Sequence, residues 1–143
     1  MKVFQLLYVS GATGPVSEAD IEQILEASRR NNARLGVTGM LLYSDGAFIQ
    51  VLEGEEKTVK ALAGRISHDR RHRNYMVLCE NHAEARAFGD WQMGFKRLDP
   101  AHAGDRGVFE ATRPALEGRI ATADGGIMLE TITAFGRDFL RAA

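Results

Sequence analysis

The chain has 143 residues, with 18 basic and 19 acidic side chains, a formal net charge of −1 and a single cysteine, Cys79. This length fits one domain with a short appendage, and the balanced charge argues against nucleic acid or an anionic membrane as the main partner. One cysteine allows no intramolecular disulfide, and no apolar run approaches the length of a membrane span or a signal peptide. We therefore expect a soluble protein in a reducing, cytoplasmic compartment.

The first predicted elements are a strand and a helix. Residues 3–9 are largely apolar at both odd and even positions. Because alternate side chains of a strand point to opposite faces, this parity pattern predicts a strand covered on both faces. After a loop over 11–15, Ser17 is a predicted N-cap with Asp20 three positions later. The helix is predicted to run to about Asn32. Its buried side is predicted to consist of Ile21, Ile24, Leu25 and Ser28.

A hairpin is predicted next. Residues 35–44 form its first strand, and Asp45-Gly46 is a strong turn signal that leads into a strand over 47–53. This third strand is apolar up to Glu53 except for Gln50. Because an unpaired buried amide costs roughly 1–3 kcal/mol, Gln50 is expected to have hydrogen-bond partners.

The second half of the chain again alternates helix and strand. We predict a helix over 55–69, a strand over 74–80 after a basic segment, a connection over 84–90 with at most one helical turn, and a strand over 91–96. The apolar stripe of this helix is Val59, Leu62, Ala63 and Ile66. The last strand places Trp91, Met93 and Phe95 on one face.

This order predicts an α+β fold of the ferredoxin-like type, βαββαβ with an extra strand. The sheet is expected to be five-stranded and mixed, with both helices on one face. Residues 1–97 form this domain, and 98–143 form a C-terminal extension whose helices cover the other face or mediate a homodimer. The stronger tail helix carries Met128, Ile132, Phe135 and Phe139 at helical spacing.

Strand parity brings several polar groups together. Tyr8 and Gln50 have the parity of the helix-covered face, and the first and third strands are central neighbours in this fold. The polar end of the first helix, with Ser28, Asn31 and Asn32, is expected to cover them. With Ile24 and Ile66 as aliphatic walls, the arrangement predicts a slot for a flat, partly polar ring.

Each of these residues also has a purely structural interpretation. Tyr8 can be a core residue with one hydrogen-bond partner, and Asn32 can be a left-handed helix C-cap. Arg65 and Asp69 have the i, i+4 spacing of a surface ion pair. Trp91 and Met93 can be ordinary core residues.

The histidines and the cysteine raise the weaker hypothesis of a metal site. His68, His72, Cys79 and His82 are close in sequence, but their spacing matches no closed zinc site, and we predict no metal. Cys79 lies in a predicted strand and is expected to be a small core residue.

The sequence resembles the BLUF domain, a flavin-based blue-light sensor, over about residues 1–97. The resemblance rests on Tyr8, Asn31-Asn32, Val37-Thr38-Gly39, the Phe-Ile-Gln-Val-Leu-Glu-Gly run over 48–54, Asp69-Arg70-Arg71-His72 and Trp91-Gln92-Met93. It implies a short, non-enzymatic photoreceptor that binds FAD, or FMN, non-covalently between the two helices.

The resemblance also implies roles for single residues. Asn32 would bind the polar edge of the flavin ring, with Asn31 nearby. Arg65, Asp69, Arg71 and His72 would contact the ring edge or the ribityl chain. The walls would be Ile24, Ser28, Phe48 and Ile66.

In this reading Tyr8 donates an electron and a proton, the proton passes by way of Gln50, and Gln50 ends rotated or tautomerised. Trp91 or Met93 then senses the change, and the tail carries it to an unidentified partner protein. Two other classes stay open. One is a cofactor-free ferredoxin-like interaction domain, and the other is a flavin-dependent redox enzyme, for which no nicotinamide fingerprint is present.

Overall fold

The computed structural model of the protein describes residues 2–44, 46–89 and 93–97. The predicted tail helices, the dimer surface and Trp91 lie outside the described residues. Within those ranges, none of the helices has the length and apolar character needed to cross a membrane. The elements are β1 (Val3–Ala12), α1 (Glu18–Leu35), β2 (Thr38–Ser44), β3 (Ala47–Gly54), α2 (Glu56–Ser67), β4 (His72–Ala83) and β5 (Gly94–Arg97).

The strands form one five-stranded sheet in the order β4-β1-β3-β2-β5. The β1–β3, β1–β4 and β2–β3 pairs are antiparallel, and β5 runs parallel to β2. This is the predicted ferredoxin-like α+β fold with a mixed sheet, and β1 and β3 are its central neighbours.

Both faces of the sheet are buried, as the strand patterns predicted. The helix-covered face joins the strands to the buried stripes of α1 and α2, including Ile21, Leu25, Val59 and Ala63. The opposite face, called here the back face, consists of Leu7, Val9, Met40, Leu42, Ile49, Val51, Leu78 and Phe88. Cys79, predicted to be a core residue, is partly buried and packs against the edge of this second cluster.

Helix α1 begins as predicted and ends later. Ser17 and Asp20 form a reciprocal capping box at its start. The helix continues through Asn32 to Leu35 and ends at Gly36, which has a φ of 69°. The left-handed C-cap interpretation of Asn32 is therefore wrong. A glycine adopts this backbone conformation without the steric cost of a Cβ, so Gly36 takes the cap.

Three strand boundaries differ from the prediction, because backbone pairing rather than the apolar run decides where a strand begins and ends. Strand β2 begins at Thr38 rather than 35, since α1 runs to Leu35 and is capped by Gly36. Strand β4 is longer than predicted, because its pairing with β1 runs from His72 to Ala83. In contrast, β5 begins only at Gly94, where its pairing with β2 starts. Residues 84–89 contain no helix.

Candidate functional site

A cavity of about 200 Å³ lies between α1 and α2, above the two central strands. All of the residues predicted to bind a cofactor line it: Tyr8, Ile24, Ser28, Asn31, Asn32, Phe48, Gln50, Arg65, Ile66, Asp69, Arg71 and His72. Their convergence follows from strand parity and helical spacing. Their roles toward a cofactor stay predictions.

Tyr8 and Gln50 form the base of the cavity. They are register partners in the β1–β3 ladder, and the Tyr8 hydroxyl donates a hydrogen bond to Oε1 of Gln50. At its other end, the Gln50 amide donates from Nε2 to the sulfur of Met93 over 3.2 Å. The side chain of Gln50 is 5% exposed. The expected partners of this buried amide are therefore a phenol and a thioether.

The environment of Tyr8 keeps its phenol protonated. Tyr8 is 1% exposed, and the ring of Tyr75 lies 4.8 Å away between centroids. Burial, followed by the influence of Tyr75 and Asp69, raises the pKa of Tyr8 far above its usual value. Tyr8 is thus a neutral hydrogen-bond donor throughout the physiological pH range.

Met93 is held from two sides. Its side chain is buried in the helix-covered core, together with Tyr8, and its carbonyl accepts a 3.1 Å hydrogen bond from Nε of Arg29 on α1. Phe95 packs against the same core, so Met93 and Phe95 share a face as predicted. Met93 precedes β5 rather than lying within it.

Asp69 and Arg71 form a bidentate pair at the mouth of the cavity. Nε and one terminal nitrogen of Arg71 lie 3.0 and 2.8 Å from the two carboxylate oxygens. This pairing lowers the pKa of Asp69 from 3.8 to about 2. The predicted Arg65–Asp69 surface pair is wrong. Within the described part of the chain, the Arg65 side chain has neither a hydrogen-bond nor an ion-pair partner.

His72 lies on the β4 side of the cavity. Its Nδ1 is 2.6 Å from the hydroxyl oxygen of Ser10, and its ring contacts the ring of Phe48 at 5.0 Å. Burial lowers the pKa of His72; Asp69 raises it and Arg71 lowers it further. The imidazole is therefore neutral near pH 7.

The other residues considered for a metal site are dispersed. His82 lies near the opposite end of β4 from His72 and contacts Glu56. His68 lies against the carbonyl of Gly64. No group of three potential ligands among the described residues could hold a metal ion.

Some contributors to the site were not predicted as such. The additional lining residues are Ala27, Leu41, Leu52 and Leu62. Parity could have identified Leu41 and Leu52, because Leu41 is the register partner of Gln50 and Leu52 shares its face. Arg29 has no sequence signal, since its contact is to a backbone carbonyl.

The chemistry of the lining fits a flat ring with one polar edge. Ile24 and Ile66 offer aliphatic surfaces, and Asn31 and Asn32 offer amide donors and acceptors. Arg65 adds a cation at the cavity. This donor set fits the flavin that the resemblance implies.

Comparison with known proteins gives a family match over most of the sheet. The sequence model of the BLUF family, described as sensors of blue light using FAD, matches residues 3–94. The chain is 36% identical over 89 residues to photoactivated adenylate cyclase subunit beta of Euglena longa, covering 62% of this chain and 10% of that protein. It is 37% identical over 84 residues to the blue light- and temperature-regulated antirepressor BluF of Escherichia coli K12, covering 59% of this chain and 21% of that protein.

A solved structure matches nearly end to end. The dark-state structure of BlrB, a BLUF protein, has a TM-score of 0.70 and 33% sequence identity, covering 93% of this chain and 96% of that one. In contrast, the chain spans about a tenth of the length of the Euglena relative and about a fifth of the Escherichia coli relative.

Proposed function

The chain belongs to the BLUF family of flavin-binding blue-light sensors, and we propose that it signals light by rearranging the hydrogen bonds of Gln50. The observation that carries the proposal is the position of Gln50. Its amide links the Tyr8 hydroxyl to the Met93 sulfur at the base of the cavity. A change at Tyr8 can therefore alter the contact with Met93 through one side chain.

We infer that the bound flavin is FAD, which the family description names, with FMN as the alternative. Asn32 and Asn31 would bind the polar ring edge. Arg65 would contact the ring edge or the ribityl chain. Identification of the flavin released from the denatured protein by chromatography distinguishes the two cofactors.

When excited by blue light, a bound flavin supplies a strong one-electron oxidant. Tyr8 is the proposed donor, because it is buried at the cavity and its hydroxyl already donates to Gln50. Loss of an electron alone would leave a buried cation, which is costly in a low-dielectric environment. The phenolic proton would therefore leave along the existing hydrogen bond: Oε1 of Gln50 would accept it while Nε2 releases a proton to the reduced flavin, so that neither residue keeps a positive charge.

The Gln50 amide then has two satisfied arrangements. A primary amide presents an acceptor at one end and a donor at the other, so rotation or tautomerisation exchanges its partners. A thioether accepts hydrogen bonds but has no proton to donate. When the donor end of Gln50 turns away from Met93, that contact is lost, which gives the switch its two states.

We propose that Met93 and β5 pass this change to a partner protein. The names of the relatives support an output of this kind, since one is a cyclase subunit and the other an antirepressor. The family match supports residues 1–97 as the sensor, and we propose 98–143 as the output element of a cytoplasmic homo-oligomer. The sensor part of the family is not catalytic, and we propose no enzymatic activity for this chain.

The decisive experiment is an absorption spectrum of the purified protein, in the dark and under blue light. A structured flavin spectrum that shifts to the red and recovers in darkness supports the proposal. Bleaching without a shift would instead support a redox enzyme. A protein that stays colourless after incubation with FAD and with FMN would support the cofactor-free interaction domain.

A further inference from the structure

A buried carboxylate lies on the back face, three residues after Gln50. Glu53 is 0% exposed although it is an acidic residue near the end of β3. It accepts four hydrogen bonds. The donors are Gln5 Nε2 at 3.1 Å, Thr38 Oγ1 at 2.8 Å, the Ala87 backbone N–H at 2.9 Å and the Phe88 backbone N–H at 2.6 Å.

Two of these donors belong to the segment that connects β4 to β5. Each oxygen of Glu53 accepts from one backbone amide of this segment and from one side chain of the sheet. The carboxylate therefore joins the 86–88 segment to strands β1 and β2 at once.

Arg86 attaches the same segment to the sheet through a second set of hydrogen bonds. Its guanidinium donates to Thr38 Oγ1 at 2.8 Å, to the Gly36 carbonyl at 2.7 Å and to the Glu53 carbonyl at 3.2 Å. Phe88 is fully buried within the back-face cluster. Polar and apolar contacts thus fix three consecutive residues against the end of the sheet.

The position of this anchor matters for Met93. Met93 follows Phe88 by five residues and is the residue that Gln50 contacts. Gln50 and Glu53 lie on one strand and face opposite sides of the sheet. Gln50 therefore contacts the residue that precedes β5, while Glu53 accepts hydrogen bonds from Ala87 and Phe88 earlier in the chain.

We propose that Glu53 is a positioning residue, which fixes the 84–89 connection and thereby the placement of Met93 beside Gln50. The importance of this placement for light sensing rests on the proposed function, but the placement itself does not.

Only a carboxylate at position 53 can accept hydrogen bonds from all four donors. An ionised carboxylate accepts at both oxygens, whereas a glutamine amide presents donors at one end. In a Glu53→Gln variant, the NH₂ group would face one of the backbone amides and one of the side-chain donors. One backbone N–H of the connection would lose its partner without any change in side-chain size.

The test compares Glu53→Gln with Glu55→Gln, because Glu55 is exposed and makes no side-chain cap hydrogen bond. Hydrogen exchange of peptides over 84–93 is measured in the dark. Exchange at Ala87 and Phe88 is expected to be at least about tenfold faster in Glu53→Gln than in the control, since a local anchor has been removed.

The second measurement reports on Met93 directly. The protein is labelled with methyl-¹³C methionine, and the Met93 signal among the five methionines is assigned with Met93→Leu. We expect Glu53→Gln to shift or broaden this signal, with and without flavin, and to change the rate of dark recovery while flavin content stays the same.

Faster exchange with an unchanged Met93 signal would overturn the proposal, because Glu53 would then only stabilise the connection. Unchanged exchange would also overturn it. If Glu53→Gln does not fold, Thr38→Val removes one donor to Glu53 and one acceptor of Arg86, and the same changes are expected at smaller size. A wild-type protein without a light response would contradict the proposed function. The exchange and methyl measurements would still test whether Glu53 positions Met93.

Discussion

The hydroxyl of Tyr8 donates to Oε1 of Gln50, and the two residues are opposite each other in the β1–β3 ladder. Their relative position is therefore set by the hydrogen-bonded backbone of two central strands rather than by a loop. A rigid scaffold of this kind suits chemistry that depends on a single hydrogen bond.

Replacing Gln50 tests the proposed switch. Gln50→Leu is expected to retain flavin and lose the light-induced red shift, since leucine has neither a donor nor an acceptor. It should also lower the free energy of unfolding by about 1–3 kcal/mol, because the buried Tyr8 hydroxyl loses its partner. Gln23→Leu, at an exposed position of α1, is the control and should keep the shift. A normal photocycle in Gln50→Leu would contradict the mechanism.

Removing one oxygen atom tests the electron donor. Tyr8→Phe should bind flavin and show no reversible shift, because the proton that accompanies the electron is absent. Tyr75→Phe is the matched control: its ring lies beside Tyr8, but Tyr8 rather than Tyr75 makes the bond to Gln50. Steady-state difference spectra decide between them. If Tyr8→Phe still shifts, Tyr8 is not the donor.

The two asparagines of α1 are expected to contribute unequally to flavin binding. Asn32 is 2% exposed and Asn31 is exposed, although both line the cavity. Loss of one buried hydrogen bond to the ring should weaken flavin affinity about tenfold in Asn32→Ala, and Asn31→Ala should have a smaller effect. Affinity is measured by fluorescence titration of the flavin-free protein, with thermal unfolding as a check on folding. If both variants bind flavin with the affinity of the wild type, neither asparagine makes the proposed contact with the flavin ring.

Strand parity was sufficient to predict the base of the cavity, because alternation in a paired strand leaves side chains only two directions. Parity alone places Tyr8, Gln50 and Phe48 on the helix-covered face. The end of α1 was harder to predict. Asn32 and Gly36 are both acceptable caps, and the helix continues to Gly36, which adopts the left-handed conformation without the steric cost of a Cβ.

Polar contacts were predictable only where local geometry fixed them. Asp69 was expected to pair with Arg65 at helical spacing, but α2 ends at Ser67, so that spacing no longer describes their separation. The contacts of Arg29 and Arg86 are made to backbone carbonyls by long side chains, which leaves no pattern in the sequence. Glu53 did carry a signal, since its parity matches Val51 and Ile49 on the back face.

Two glycines provide a test of the packing. A Cβ on Gly39 would lie 2.0 Å from the Val51 carbonyl oxygen, whereas one on Gly64 would meet nothing within 4 Å. Gly39→Ala should therefore destabilise the fold by about 1–3 kcal/mol or more, because backbone must move. Gly64→Ala, in an exposed position of α2, should stabilise it by roughly 0.5–1 kcal/mol. Urea unfolding measures both, and a neutral Gly39→Ala would contradict the close approach of β2 and β3.

His72 predicts how stability depends on pH. Burial lowers its pKa below the usual 6.5, with Asp69 acting upward and Arg71 downward. The folded state therefore binds the proton less tightly than the unfolded state, so this contribution is complete above pH 6.5 and is lost as the pH falls toward the folded pKa. The urea midpoint of the wild type should drop between about pH 7.5 and about pH 5.5, and His72→Gln should drop less. His68→Gln, at an exposed position after α2, should follow the wild type. An equal drop in wild type and His72→Gln would show that another group causes the pH dependence.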